Sequence, residues 1–376
     1  MIASVTREVD VVVLGAGAAG LATAACLRRR GLDPVVLDRG DHVGQVWHER
    51  YDRLHLHTPR VQSALPGLRL PAGAGRWVAR DDFAAYLAGY AQVHRIRPQF
   101  GHDVERVVRR GGRWDVRTSA GSFRVRELVV ATGHANSPAL PDWGRGSVRV
   151  VHSAAYRNPG RLGARSVLVA GAGNSGAEIV VDLLEHGVAD VLWSVRTPPP
   201  VVPRSLGPVP ATLLTIVQQP FPTALVDPLS RWAAARSVGD LSAHGLPPAR
   251  IGPVARTRTT GEPPVIDVGI VAALRAGRVR VVPAVTRLEG ADVVLAEGSR
   301  HRPDVVVAAT GFSPALGFLE HPDLLDRSGR PRTHGGASTP GAPGLRFVGF
   351  RVPARGALFE AGRDARAAAR AITRRA

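Results

Sequence analysis

Short runs of apolar, largely β-branched residues recur along this chain, each bounded by glycine or by a charge. Val9 to Leu14 is followed by Pro34 to Asp38, and Val167 to Ala170 is followed by Val191 to Val195. Runs this short and this apolar read as parallel strands buried on both faces. Between the members of each pair the apolar spacing becomes helical. That predicts helices over Ala18 to Arg30 and Ser175 to His186, stopped by Gly31 and Gly187. Each pair is a strand–helix–strand unit, and the fold class is α/β.

Two more apolar runs rhyme with each other. Leu128 to Gly133 and Val305 to Gly311 both end in Ala-Thr-Gly. Each follows a short β pattern, Trp114 to Thr118 with Phe123 to Arg126 in the first case and Val279 to Val282 with Val293 to Leu295 in the second. The expectation is a small meander feeding each main sheet. Proline-rich 198–264 breaks the periodicity except around Ala211 to Gln218 and Pro228 to Val238. It is expected to be an irregular insertion with two short helices, placed as a substrate cover. A last helix is expected from about Arg363, after Gly356 and Gly362.

The turns inside the two units carry the chemistry. The first reads Gly15, Ala16, Gly17, Ala18, Ala19, Gly20, and the second Gly171, Ala172, Gly173, Asn174, Ser175, Gly176. Glycine at these places permits a tight turn, the close approach of a pyrophosphate, and the packing of helix on strand. The helix N-terminus behind them offers unpaired N–H groups to the phosphates. The strand after the first turn ends in Asp38, followed by Arg39, and the strand after the second ends in Ser194, Val195 and Arg196. An acid there hydrogen-bonds ribose hydroxyls, whereas an arginine accommodates a 2′-phosphate. The first site therefore suits FAD or NAD and the second NADP, and a chain with both reads as an NADPH-dependent flavoenzyme.

Composition narrows the alternatives. With 376 residues, 44% of them hydrophobic, the chain suits two globular domains. The net charge of +18 comes from 49 basic residues, all arginine, scattered along a chain with only 5% aromatics. That is too sparse for nucleic-acid stacking, and the charge is assigned to attracting anionic cofactors. The lone cysteine, Cys26, excludes a disulfide framework and a redox cysteine pair. The apolar stretch Val9 to Leu27 holds the fingerprint glycines and reads as strand, turn and helix, not a signal peptide. A cytoplasmic protein without membrane spans is expected. His55 and His57 alternate along one stretch but have no third partner, so no metal is assigned. Ala177 stands where a Ser175 nucleophile elbow needs glycine, so a serine hydrolase is unsupported.

These motifs together resemble the class B flavin-dependent monooxygenases, over nearly the whole chain. Gly44, Gln45, Val46 and Trp47 resemble that family's turn beside the flavin and its adenosine. Tyr51 to His57, followed by Thr58 and Pro59, resembles its next flavin-contacting stretch. Ala131, Thr132 and Gly133, and Ala309, Thr310, Gly311 and Phe312, resemble its two domain-crossing strands. Ser194 to Pro198 resembles its NADPH phosphate clamp. Pro264 to Gly269 and Gly356 to Ala365 look closest to the auxin-forming branch and its bacterial relatives. One departure stands out: where the family signature has phenylalanine and then glycine before its histidine, this chain has Gly146 and Val148, while the rest stands as His152, Ser153 and Tyr156.

The resemblance implies two Rossmann-like domains, with an NADPH domain at about 147–302 inserted into an FAD domain formed by 1–146 and 303–376. It implies that NADPH reduces FAD, that reduced flavin captures O₂ as a C4a-(hydro)peroxyflavin, and that one oxygen atom passes to a small organic substrate. An α-keto acid, a ketone, or a soft nitrogen or sulfur nucleophile would each suit. The chemistry is carried by the flavin. His152 and Tyr156 are the candidates for orienting the nicotinamide side, against the alternative of a capped turn with a packed tyrosine. Competing readings are a reductase or oxidase passing electrons to a quinone, a protein or O₂, and a flavin-binding redox sensor.

Overall fold

The computed structural model describes residues 6–351, 353 and 355–374. Two sheets organise it. In the first, Thr6–Leu14 lies between the parallel strands Val35–Leu37 and Gly121–Val130. The start of Gly121–Val130 pairs antiparallel with Arg113–Thr118, which pairs in turn with Val104–Arg110. Its other end pairs in parallel with Leu345–Phe347, so the late part of the chain returns to the first sheet. Helices Ala18–Arg28, Arg80–Val93 and Ala357–Thr373 cover one face, where Leu21, Leu27, Phe83, Leu87 and Ile372 are buried.

The second sheet is wholly parallel, in the order Arg280–Val282, Asp190–Ser194, Ser166–Ala170, Val305–Ala308, Arg149–His152. Helices Asn174–Glu185 and Ile270–Arg275 pack on one face. A three-stranded meander, Val285–Glu289, Asp292–Leu295 and Arg300–His301, closes the other with Trp143. Both sheets are buried on their two faces, which is why their strands read as apolar runs with little alternation.

The structure departs from expectation at four places. Arg280–Val282 joins the edge of the second sheet, and the partner of Asp292–Leu295 is Val285–Glu289. Pro283 and Ala284 separate Arg280–Val282 from Val285–Glu289, a strand that the expected pairing of Val279 to Val282 with Val293 to Leu295 did not include. Val305–Ala308 lies between two strands of the second sheet, so a boundary at 303 falls one strand too early. The insertion holds three helices, Ala211–Gln218, Thr223–Val238 and Pro253–Thr260. The last helix starts at Ala357, well before Arg363. Gly362 looked like a break, but it is a contact point: a Cβ there would press on the Pro66 ring at 3.3 Å. Among the described residues no helix is long and apolar enough to cross a membrane.

Candidate active site

The two glycine turns are built alike. Gly15 has φ +105°, and a Cβ on it would lie 2.7 Å from the Ala131 carbonyl oxygen. Gly171 has φ +125°, and a Cβ there would overlap the Ala309 carbonyl oxygen. Gly20 and Gly176 lie against the carbonyls of Gly15 and Gly171 so closely that neither admits a side chain. Gly17 and Gly173 face open space, and each caps a helix with no side-chain hydrogen bond and no acid in its first turn. The free N–H groups and the positive end of each helix dipole therefore point at a glycine-lined cradle, a setting that fits a pyrophosphate.

Asp38 is fixed at the end of the second strand. Its Oδ2 accepts from Ala16 N–H at 2.6 Å and its Oδ1 from Gly40 N–H at 2.8 Å. Arg39 is exposed and donates to the Asn136 carbonyl at 3.2 Å. In the second unit Arg196 is exposed and makes no ion pair among the described residues. Ser194 does not stand beside it as expected. The residue is buried and its hydroxyl donates to the Pro283 carbonyl at 2.8 Å, because it is the last residue of a strand buried on both faces, whereas Arg196 lies two residues beyond the strand's end.

Several other candidates have structural partners. The Asn174 amide clasps the strand Val265–Asp267, donating to the Pro264 carbonyl at 3.1 Å and accepting from Ile266 N–H at 2.8 Å, so only its backbone is left for a nucleotide. Gln45 accepts from Asp41 N–H and donates to Glu49, and Val46 is exposed. Gly44 has φ +86° and starts the short helix Gln45–His48, and Trp47 meets Phe83 edge-on at 4.6 Å. Ala18 and Ala19 begin the first helix, and Ala19 fills the space that a side chain on Gly349 would need. The Thr58 hydroxyl pairs with Ser63 at 2.6 Å, while its methyl lies against Gly356 at the start of the last helix. His55 bonds to the Arg53 carbonyl, away from His57.

The two Ala-Thr-Gly ends also match. Gly133 and Gly311 both have positive φ and open space beside them. The Thr310 hydroxyl donates to the Ala139 carbonyl at 2.6 Å, whereas the Thr132 hydroxyl is buried without a partner, which fits a ligand group beside it. Phe312 stacks edge-on against His152 at 5.0 Å.

His152 and Tyr156 are brought close to these ends, but neither is free for proton transfer. His152 Nδ1 accepts from Ala154 N–H at 3.1 Å, which leaves Nε2 to donate to the Gly311 carbonyl at 3.0 Å. Burial lowers its pKa, so the ring is held neutral in one tautomer. The Tyr156 hydroxyl donates to Asp182 at 2.7 Å, and burial together with that carboxylate raises its pKa far above the ordinary value. Both are locks on the turn after Arg149–His152. The departure at Gly146 has a steric reason. A Cβ there would lie 2.8 Å from both the Gly290 carbonyl and Leu288, so the meander fills the space that a phenylalanine would take.

A polar cluster that sequence reasoning passed over joins the two units. Glu178, buried on the second helix, accepts from His57 Nε2 at 2.7 Å. Tyr51 faces Ser175 and Glu178, and its pKa is raised well above normal by burial and by the Glu178 charge. A signal was present: Glu178 and Asp182 are acids one helical turn apart on the apolar face of a helix.

Residues 12–202 match the pyridine nucleotide-disulphide oxidoreductase family. Among curated proteins, the chain is 34% identical to indole-3-pyruvate monooxygenase YUCCA1 of Oryza sativa subsp. japonica, covering 90% of this chain and 86% of that one. It is 33% identical to the probable indole-3-pyruvate monooxygenase YUCCA9 of Arabidopsis thaliana, covering 90% and 83%. Among solved structures, a flavin-containing monooxygenase from Stenotrophomonas maltophilia superposes with a TM-score of 0.75 at 27% identity, covering 98% and 99% of the two chains. Cyclohexanone monooxygenase from Rhodococcus sp. Phi1 shares the fold, with a TM-score of 0.72 at 19% identity over 99% of this chain and 84% of that one. The two glycine cradles and this kinship agree, and the chain belongs to the class B flavin-dependent monooxygenases, a family of oxidoreductases that use FAD and NADPH.

Proposed function

We propose that this enzyme is an NADPH-dependent FAD monooxygenase that oxidatively decarboxylates an α-keto acid. One molecule each of keto acid, O₂ and NADPH, with a proton, would give the shortened carboxylic acid, CO₂, NADP⁺ and water. The observation that carries the two-cofactor reading is the pair of uncapped helix N-termini, each behind a glycine that no side chain can replace. The substrate class rests on the kinship, since the relatives matched over 90% of this chain are named for indole-3-pyruvate.

In this reading the first sheet with the last helix forms the FAD domain and the second sheet the NADPH domain. The cradle of Gly15, Gly17 and Gly20 would hold the FAD pyrophosphate, with Asp38 on the adenosine ribose and Trp47, Thr58 and Thr132 nearer the ring. The cradle of Gly171, Gly173 and Gly176 would hold the NADPH pyrophosphate, with Arg196 on the 2′-phosphate. FAD, when bound, supplies the two-electron chemistry that activates O₂. The protein's part is to bind, to orient and to exclude water. His152 would serve by fixing Gly311, and so the path of Phe312, from a neutral imidazole.

The insertion is proposed as the substrate cover. It is anchored on the FAD side through Arg204, Pro208 and Thr212. Arg204 donates to the Leu56 carbonyl at 2.9 Å and stacks on Trp77 at 4.1 Å. Arg76 reaches the Pro208 carbonyl. The Thr212 hydroxyl donates to Gln62 at 3.0 Å, and Gln62 also bonds the Arg355 carbonyl just before Gly356.

The test is stoichiometric. With indole-3-pyruvate or phenylpyruvate, each NADPH consumed should release one CO₂, and label from ¹⁸O₂ should enter the product acid. One H₂O₂ per NADPH, unchanged by any keto acid, would instead establish an oxidase.

A further inference from the structure

Arg50 is a cation with no ion pair among the described residues, at the junction of the two nucleotide-binding units. It follows the short helix Gln45–His48 of the first unit, and its guanidinium lies over the Phe312 ring at 4.6 Å. Phe312 follows the Ala309–Gly311 segment that leaves the strand Val305–Ala308, and Ala309 touches Gly171 of the second glycine turn. The neighbouring residue, Tyr51, faces Ser175 and Glu178, in the first turns of the helix behind that same turn. So the loop of the first unit sets Arg50 over Phe312 and Tyr51 against the helix behind the second unit's cradle. No hydrogen bond or ion pair of its guanidinium is formed among the described residues, and its charge is partly desolvated, which lowers its pKa. Near it stand two neutral rings, His134 and His152, each with its pKa lowered chiefly by burial. The environment has removed water from a permanent positive charge and supplied in return an aromatic face and the charge of the exposed Glu49 next to it in the chain, without a hydrogen bond to either. A partly desolvated cation with unused N–H donors gains when an anion arrives.

We infer that Arg50 binds the pyrophosphate of NADP(H) across the domain junction, opposite the N-terminus of Asn174–Glu185. This rests on the proposed NADPH site. Two independent features converge on one anion: twelve helical residues ending in free N–H groups at Gly173, and a guanidinium fixed by stacking. Arginine suits the task because its planar fork can stack on Phe312 and bond phosphate oxygens at once. The contact would make nucleotide binding depend on the loop that also touches the flavin turn.

The experiment titrates oxidised holoenzyme with NADP⁺ and with NAD⁺, following the flavin absorbance and the heat of binding. The variants are Arg50→Ala, Arg50→Lys and Arg196→Ala. Arg50→Ala should weaken NADP⁺ and NAD⁺ by the same factor, about ten- to a hundredfold for a charge-assisted hydrogen bond, because both nucleotides carry the pyrophosphate. Arg50→Lys should recover part of that loss, and FAD content should stay unchanged. Arg196→Ala should weaken NADP⁺ alone. If wild type binds NADP⁺ and Arg50→Ala binds it equally well, the inference is overturned while the NADPH site stands. Loss of FAD from Arg50→Ala would move the anion to the flavin pyrophosphate, and a raised KM for the keto acid alone would move it to the substrate carboxylate. Either result overturns the inference. If wild type binds neither nucleotide, the underlying reading of the site fails first.

Discussion

Gly171 and Ala309 touch backbone to backbone, and a Cβ on Gly171 would overlap the Ala309 carbonyl oxygen. Gly15 and Ala131 repeat the relationship in the first unit. The two pairs can therefore be broken separately. Gly171→Ala places a side chain at φ +125° against a carbonyl, a strain of about 1–3 kcal/mol that opens the second turn. The expected protein is yellow, fully loaded with FAD, and unable to be reduced by NADPH, though dithionite still bleaches it. Gly15→Val should give the converse, a colourless protein. A yellow Gly15→Val variant, or normal NADPH reduction by Gly171→Ala, would show that these turns do not hold the pyrophosphates.

Much of this was legible from the chain. The strand–turn–helix units, both Ala-Thr-Gly ends and the charges at positions 38 and 196 follow from local pattern, because a buried parallel strand and a glycine cradle leave few choices of residue type. What stayed hidden was long-range. Ser194 turns to Pro283, Asn174 to Pro264 and Ile266, and Glu178 to His57, across sequence separations that no local period encodes. Gly362 and Gly146 look like interruptions in sequence and prove to be contact points with Pro66 and the 288–290 turn.

Arg196 stands exposed beyond the last residue of its strand, with no carboxylate to neutralise it among the described residues. A 2′-phosphate is the difference between NADPH and NADH, so Arg196→Ala should lower the NADPH:NADH preference about tenfold, as expected for losing one exposed charge-assisted hydrogen bond. Steady-state kinetics with both nucleotides measures this ratio directly. Since Ser194 bonds Pro283, Ser194→Ala should leave the ratio unchanged and lower stability instead. A shift in the ratio from Ser194→Ala alone would reverse the assignment.

Five histidines, His94, His102, His134, His152 and His334, have their pKa values lowered in the folded chain, in each case chiefly by burial. The unfolded chain binds protons on them at about pH 6.5, where the folded chain does not. Their contribution to stability is therefore fully present above that pH, and is lost as pH falls from it towards the folded values. Melting temperature should drop between pH 7 and pH 5 before most carboxylates titrate. His152→Gln should shallow that slope, while the pH dependence of kcat keeps its limbs, because a neutral, doubly bonded His152 transfers no proton. Disappearance of a kcat limb in His152→Gln would restore it as an acid or base.

Thr212 ties the insertion to the first unit through Gln62, whose amide also bonds the Arg355 carbonyl. The bond is buried, so its loss is not replaced by water without rearrangement. Thr212→Val keeps the shape and removes the donor, at a cost of about 1 kcal/mol, which moves a docked–undocked equilibrium of the cover about fivefold. An undocked cover admits water to the reacting centre but touches neither cradle. NADPH oxidation should therefore continue at its normal rate, while the share of electrons released as H₂O₂ rises and product falls in proportion. The ratio of product to NADPH consumed, measured at saturating keto acid, reads this directly. An unchanged ratio in Thr212→Val, with the variant folded and yellow, would mean that water is excluded by the two domains themselves and that the insertion is not the cover.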